Sequence, residues 1–228
     1  MPATCTSPPK QLIEDLELQP NDWEPKDTYY LVTGLIIPRP IGWMSTMSSQ
    51  GVANLAPYSY FNAVAHNPPH VMFSSVGIKD SLRNVEETGE FVANIVTMDV
   101  IERMNFTSTD FPSEENEFGW AGLTPVKSKK VLPDRVQEAK AHFECRKVQI
   151  VPAGNGNIVI GEVVHIHIDQ SVWEDGRVSP EKLDPVCRLA GTSYARLGEV
   201  FRLDRPAWDN IKQTTGDESM PRLKQAAP

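Results

Sequence analysis

The segment Ser74-Ser-Val-Gly-Ile-Lys-Asp-Ser81 carries the residue types that an anion site needs. An apolar run ends in two hydroxyls, Gly77 relaxes the backbone, and a helix opens at Asp80 or Ser81. The unpaired N–H groups of a first helical turn, together with the helix dipole, favour negative charge. Lys79 adds a cationic point and Ser81 a hydroxyl, so a phosphate suits this arrangement. The plainer alternative is that Asp80 caps a short surface helix.

A second segment, Asn54-Leu-Ala-Pro-Tyr-Ser59, lies in the middle of an apolar, strand-like run. Pro57 and Ala56 interrupt the ladder there, which turns backbone N–H and C=O groups towards a ligand. A flat redox ring such as an isoalloxazine has alternating donors and acceptors along one edge, and backbone groups read that edge well. A proline bulge at a barrel corner is the alternative. Both segments fall within residues 38–91, and together they point to a planar, phosphorylated cofactor.

Other reactive residues are sparse. The chain has no P-loop, no G-x-G-x-x-G opening a helix, no G-x-S-x-G elbow and no H-E-x-x-H. His165 and His167 share one face of a strand, because strand side chains alternate with period two. Such a pair fits a hydrogen-bonded structural role, a place near a substrate or a metal site. Glu162 and Asp169 do not complete an evident ligand set, and no metal is expected. Cys5, Cys145 and Cys187 are odd in number and widely spaced, which rules out a fully paired disulfide scaffold and fits a reducing cytoplasm. Cys145 reads as a small core residue, and Cys187 is the candidate thiol.

The elements that must hold these residues are mostly extended. Gln11–Gln19 has helical apolar spacing closed by Pro20, behind a tail over residues 1–10 that reads as disordered. Tyr29–Ile37 reads as a strand broken at Gly34, or as a turn leading into a strand. Pro38 and Pro40 make a strand edge or bulge. Strands follow at 41–47, 52–64, 71–76 and 91–96, with turns at Ser48–Gly51 and Asn67–His70 and a helix over 80–88 closed by Gly89. A helical turn is expected near Asp99–Asn105. Residues 107–122 read as a long mobile insertion anchored by aromatics, among them Phe111, Phe118 and Trp120. Strands return at 141–151 and 158–168 around an Asn-Gly hairpin signal. The pattern predicts a mainly β fold, a mostly antiparallel barrel with short flanking helices.

Composition excludes several classes. With 228 residues the chain can bury a substantial core, and its 40% apolar and 23% charged content is that of an ordinary globular protein. A net charge of −8 argues against nucleic acid, and Lys127–Lys130 is too short a basic cluster to be more than a solvated loop. No run approaches the about 20 apolar residues of a membrane span. The polar, Pro-rich start does not read as a secretory signal.

The sequence resembles the flavin reductase-like family, whose fold is an FMN-binding split barrel of Greek-key antiparallel strands. The likeness runs through Arg39-Pro-Ile-Gly-Trp43, Ser45-Thr46, Gly51-Val-Ala-Asn54-Leu-Ala-Pro-Tyr-Ser59-Tyr-Phe-Asn62 and Asn67-Pro-Pro69. It continues with Ser74-Ser75, Lys79-Asp-Ser81, Phe91-Val-Ala-Asn94, Gly161-Glu-Val-Val and Arg188-Leu-Ala-Gly-Thr-Ser-Tyr194, with Ala190 where the family pattern has Gly. The resemblance implies a split-barrel domain over residues 28–203, between extensions at 1–27 and 204–228, and a homodimer with one FMN per subunit. It implies that Trp43, Ser45, Thr46, Asn54, Ala56, Pro57, Tyr58 and Ser59 line the ring and ribityl chain. Ser74, Ser75, Lys79 and Ser81 would serve the phosphate, and Arg188 and Tyr194 would approach the flavin. The implied activity is hydride transfer from NADH or NADPH to flavin, with free flavin, a small-molecule substrate or a partner monooxygenase downstream. Reduction of a small aromatic such as a nitro compound, or electron carriage without nicotinamide, are the alternatives. No acid or base is needed for hydride transfer, so no catalytic residue is named.

Overall fold

Residues 16–211 and 224–225 are described by the computed structural model. Residues 1–10 and most of the expected 11–19 helix lie outside them, and residues 16–19 are not helical. Strands β1 (Arg39–Pro40), β2 (Gly42–Met47), β3 (Ala53–Tyr58), β4 (Phe61–His66), β5 (Pro69–Val76) and β6 (Glu90–Ile95) follow helix α1 (Pro25–Leu35). Helix α2 (Asp80–Thr88) joins β5 to β6, and α3 (Ile101–Phe106) and α4 (Glu117–Trp120) come next. Two short strands, β7 (Pro125–Val126) and β8 (Arg135–Val136), precede the long pair β9 (Ala141–Ala153) and β10 (Gly156–Ile168). The remainder comprises β11 (Trp173–Glu174), β12 (Arg177–Val178), α5 (Pro180–Leu183), β13 (Val186–Arg188), β14 (Tyr194–Arg196), β15 (Phe201–Arg202), α6 (Trp208–Ile211) and β16 (Lys224–Gln225).

Seven strands form one antiparallel sheet in the order β3-β2-β6-β9-β10-β5-β4, and it curls into the expected split barrel. The interior is filled by Met44, Tyr58, Phe61, Phe73, Phe91, Cys145 and Val159, and Leu82 and Val85 of α2 reach into it. Alternate residues of the same strands, Trp43 and Leu55 among them, bury on the opposite face against Met104, Phe118, Leu123 and Val136. Burial on both faces explains why β2 and β6 lack the polar–apolar alternation of a half-exposed strand. Burial also raises the pKa of both Cys145 and Cys187, so neither thiol is primed as a nucleophile.

Two local expectations change. Tyr29–Ile37 is largely helical: Pro25 starts α1 at a position that needs no N–H, and the helix runs to Leu35. Its run of apolar residues suited strand and helix alike, and most of them face outward, with only Thr33 buried. Arg39 then closes the helix end, donating from Nη1 to Thr33 O at 2.6 Å and Ile36 O at 2.9 Å, and from Nη2 to Leu189 O at 2.8 Å. The second change is at 52–64, where a turn at Ser59–Tyr60 divides the extended run into β3 and β4. The β9–β10 hairpin forms as expected, with Gly154 at φ +60° in its turn.

His167 belongs to a buried structural cluster. Its Nε2 pairs with Glu144 Oε1 at 2.6 Å, its ring meets His165 edge-on at 4.6 Å, and Glu144 also accepts the N–H groups of Lys129 (2.7 Å) and Lys130 (2.6 Å). Burial by itself raises the Glu144 pKa, but the Lys129 N–H, His167 and Lys130 N–H together hold it below its ordinary 4.5. The carboxylate therefore pins the β7–β8 loop to the barrel. A depressed carboxylate pKa stabilises the fold above the unfolded value and loses that contribution as pH falls through the folded one. Glu144→Gln places an amide NH₂ against a donor and is expected to cost about 2–4 kcal/mol in urea unfolding at neutral pH, with the deficit shrinking in acid.

Candidate functional site

The site begins along the outer, unpaired edge of β3. This strand is an edge, bonded only to β2. Leu55 N–H points away from β2 and donates to Glu117 Oε2 at 2.9 Å. Strand alternation puts Pro57 on the same outward side, so its missing N–H costs the ladder nothing. The outward edge past Leu55 therefore presents carbonyls more than donors. Across the gap, β5 is joined to this region by Tyr58 against Phe73, with ring centroids 4.8 Å apart, and by Ser74 N–H to Tyr60 O at 2.8 Å.

Beyond β5, Gly77 takes φ +72°, a left-handed conformation that glycine adopts without strain, and Lys79 leads into α2. Lys79 is the N-cap residue, and no side chain caps the helix. Asp80, expected as a possible cap, is instead the first helical residue and pairs with Arg83 one turn on. Lysine is a poor N-cap, so the first-turn N–H groups of α2 stand ready for an external acceptor. Lys79 Nζ lies 3.8 Å from Asp110 Oδ1 in an exposed pair that leaves the ammonium within reach of an anion.

These pieces surround a cavity of about 490 Å³. Of the residues singled out in the sequence, Asn54, Ala56, Pro57, Tyr58, Ser59, Ser74, Lys79 and Ser81 line it. The remaining six do not. Trp43 is fully buried, and its indole donates to Thr107 Oγ1 at 2.8 Å, which holds a wall residue in place. Ser45 donates to Asp134 O, and Thr46 Oγ1 accepts from Asn84 Nδ2 and lies 3.2 Å from the Asn54 side-chain amide. Ser75 is buried and donates to Gly77 O at 3.2 Å. Arg188 stacks on Tyr194 at 4.4 Å, and Tyr194 donates to Asn105 Oδ1 at 2.9 Å, on the separate β1–β13–β14 sheet.

Glu117 and the Thr107–Phe111 segment complete the wall, and sequence reading had not singled out Glu117. The 107–122 region is partly structured. Asn116 caps α4, Phe118 is buried in the core, and Phe111 stacks against Trp120 at 6.4 Å. The Asn116–Glu117 pair before an aromatic was the available signal for a capped turn. Glu117 is buried, and desolvation raises its pKa above the ordinary 4.5. Tyr58 Oη is buried without a well-formed hydrogen bond; burial raises its pKa against the opposing pull of the nearby Ser81 and Ser75 hydroxyls.

Residues 34–180 match the flavin reductase like domain. The chain belongs to the flavin reductase-like family. It is 43% identical to an uncharacterised protein of Aquifex aeolicus over 177 residues, covering 75% of this chain and 90% of that one. It is also 39% identical to the uncharacterised protein YwrF of Bacillus subtilis over 194 residues, 80% and 95% of the two chains. Among solved structures it is similar to nitrilotriacetate monooxygenase component B from Bacillus cereus, with 40% identity and a TM-score of 0.81 over 84% of this chain and 100% of that one. It is similar as well to 2-nitrobenzoate 2-nitroreductase from Pseudomonas fluorescens, with 28% identity and a TM-score of 0.78 over 85% and 98%. Membership of the flavin reductase-like family supports a flavin cofactor.

Tyr58→Phe removes a buried hydroxyl that lacks a well-formed hydrogen bond, so it is expected to cost less than about 1 kcal/mol or to stabilise the protein, read as the midpoint of denaturant unfolding.

Proposed function

We propose that the chain is an FMN-dependent NAD(P)H oxidoreductase, a flavin reductase that passes a hydride from NADH or NADPH to FMN. The observation that carries this reading is the uncapped, Lys79-led start of α2 in the lining of a cavity that the free edge strand β3 also lines. The volume of about 490 Å³ falls within the range of small-molecule and cofactor pockets. Lys79, the Ser81 hydroxyl and the first-turn N–H groups of α2 would hold the phosphate, with Ser74 beside them. Asn54 and Ala56–Ser59 would flank the ring and ribityl chain, and outward carbonyls of β3 suit a ring N–H. The buried hydroxyl of Tyr58 would gain a well-formed hydrogen bond from the ligand.

When bound, FMN supplies the hydride-accepting ring that no side chain can provide. The protein's part is to orient that ring and to limit water. Thr107–Phe111 forms the wall that does the second, with Phe111 backed by Trp120. The same aromatic pair favours a second reading, reduction of a small aromatic substrate on retained FMN, and the similarity to the nitrobenzoate reductase supports it. A partner monooxygenase is in keeping with the similarity to a monooxygenase component. The proposed homodimer has surface to use: Val64 on edge strand β4, and Tyr29, Tyr30 and Val32 on α1, are exposed.

Purified protein is expected to bind FMN and to lose its yellow colour when NADH or NADPH is added without oxygen. Turnover of added free FMN supports the reductase, whereas bleaching confined to bound FMN supports the second reading. Protein that stays yellow with both nucleotides contradicts the hydride-transfer proposal. Lys79→Ala combined with Ser81→Ala is expected to weaken FMN binding by about 10–100-fold by fluorescence titration, and unchanged affinity would remove the phosphate assignment.

A further inference from the structure

Glu117 places a carboxyl in the wall of a cavity whose start-of-helix chemistry favours anions. The residue is 6% exposed, and Oε2 is committed to Leu55 N–H. Its other oxygen, Oε1, stands 3.2 Å from the Asn54 side-chain amide. On the far side of that amide lie Ser81 Oγ at 2.9 Å and Thr46 Oγ1 at 3.2 Å. Asn54, Ser81 and Glu117 all line the cavity.

The Asn54 amide can be seated in two ways, and each demands a different state of Glu117. With its NH₂ towards Glu117 it donates to an ionised Oε1, and its oxygen accepts from Ser81 Oγ and Thr46 Oγ1. With its oxygen towards Glu117 two acceptors meet, unless Oε1 carries a proton and donates it. The NH₂ then donates to Ser81 Oγ. In the first seating the single Ser81 proton is committed to Asn54. In the second it can turn into the cavity and meet an anion.

We infer that Glu117, Asn54 and Ser81 form a relay that couples protonation of Glu117 to anion binding at the start of α2. The inference rests on reading that helix start as a phosphate site. One proton passes from solvent to Glu117 as the phosphate binds, and no other bond is made or broken besides hydrogen bonds. Glu117 is a positioning residue, since it acts through Asn54 and Ser81.

Burial sets the direction and favours the neutral carboxyl. Asp80, Asp110, Lys79 and Arg83 line the same cavity, but burial is the largest cause of the shift, opposed by backbone N–H groups. Tyr58 faces the carboxyl from β3 and stays a neutral phenol, because burial raises its pKa. Glu115, just before α4, is engaged with Trp120 Nε1 at 2.8 Å.

The test is calorimetric titration of the full chain with FMN and with riboflavin, in buffers of different ionisation enthalpy between about pH 5 and pH 8. FMN is expected to bind more tightly than riboflavin. Its binding should take up as much as about one proton more in the wild type than in Glu117→Gln. The Gln amide imitates the protonated carboxyl, so that variant should hold its FMN affinity at pH values where the wild type loses it, by about tenfold per unit at most. Ser81→Ala, which keeps Glu117, should bind FMN weakly with a flattened pH profile, and it provides the readout if Glu117→Gln fails to fold. FMN binding that is tighter than riboflavin binding, but with equal proton uptake and pH slope in wild type and variants, overturns the relay and leaves the phosphate site standing. Equal affinity for the two flavins overturns both.

Discussion

Between β3 and β5 the barrel closes through side chains and one turn, instead of a continuous ladder of backbone bonds. A fully closed sheet satisfies every internal N–H and C=O group and has no edge to offer. Here the Tyr58–Phe73 contact carries the closure, and the backbone edge of β3 is left for other partners. One of those partners is already supplied by the chain, since Glu117 takes the Leu55 N–H. Pro57 removes the next outward donor without disturbing the bonds to β2. The cavity exists because this seam is open, and its polar end exists because α2 starts beside it without a cap.

Buried carboxylates recur as the device that ties irregular segments to the barrel. Glu144 accepts two backbone N–H groups from the β7–β8 loop and a third donor from His167, which holds it ionised. Glu117 accepts backbone N–H groups, that of Leu55 among them, and lies beside an amide, yet desolvation outweighs them and raises its pKa. The balance between burial and donors separates the two roles. Glu144 is a fixed clamp, while Glu117 has an oxygen whose protonation the neighbouring amide can follow.

Much of this architecture was legible from local patterns. The barrel class, the β9–β10 hairpin and the end of α2 at Gly89 follow from strand-length apolar runs and turn residues, and α2 itself from its position after Gly77. The cavity segments 54–59 and 74–81 were legible because a proline, hydroxyls and a helix start stand within or beside apolar strands, although Pro57 leaves the β2–β3 ladder intact where an interruption was expected. Residues 43–46 do not line the cavity because both faces of β2 are buried, with Met44 in the barrel interior and Trp43 packed on the opposite face. α1 misled because a dense apolar run carries no clear period. Glu117 could not be read at all, since its importance comes from meeting an edge strand 62 residues earlier in the chain.

The most direct test of the account is a crystal structure of the protein with FMN bound. The account predicts the phosphate against the first-turn N–H groups of α2 with Ser81 and Lys79 beside it, and the ring along the outer edge of β3 near Ala56–Ser59. Phosphate density elsewhere, or a flavin seated away from the seam between β3 and β5, would contradict it.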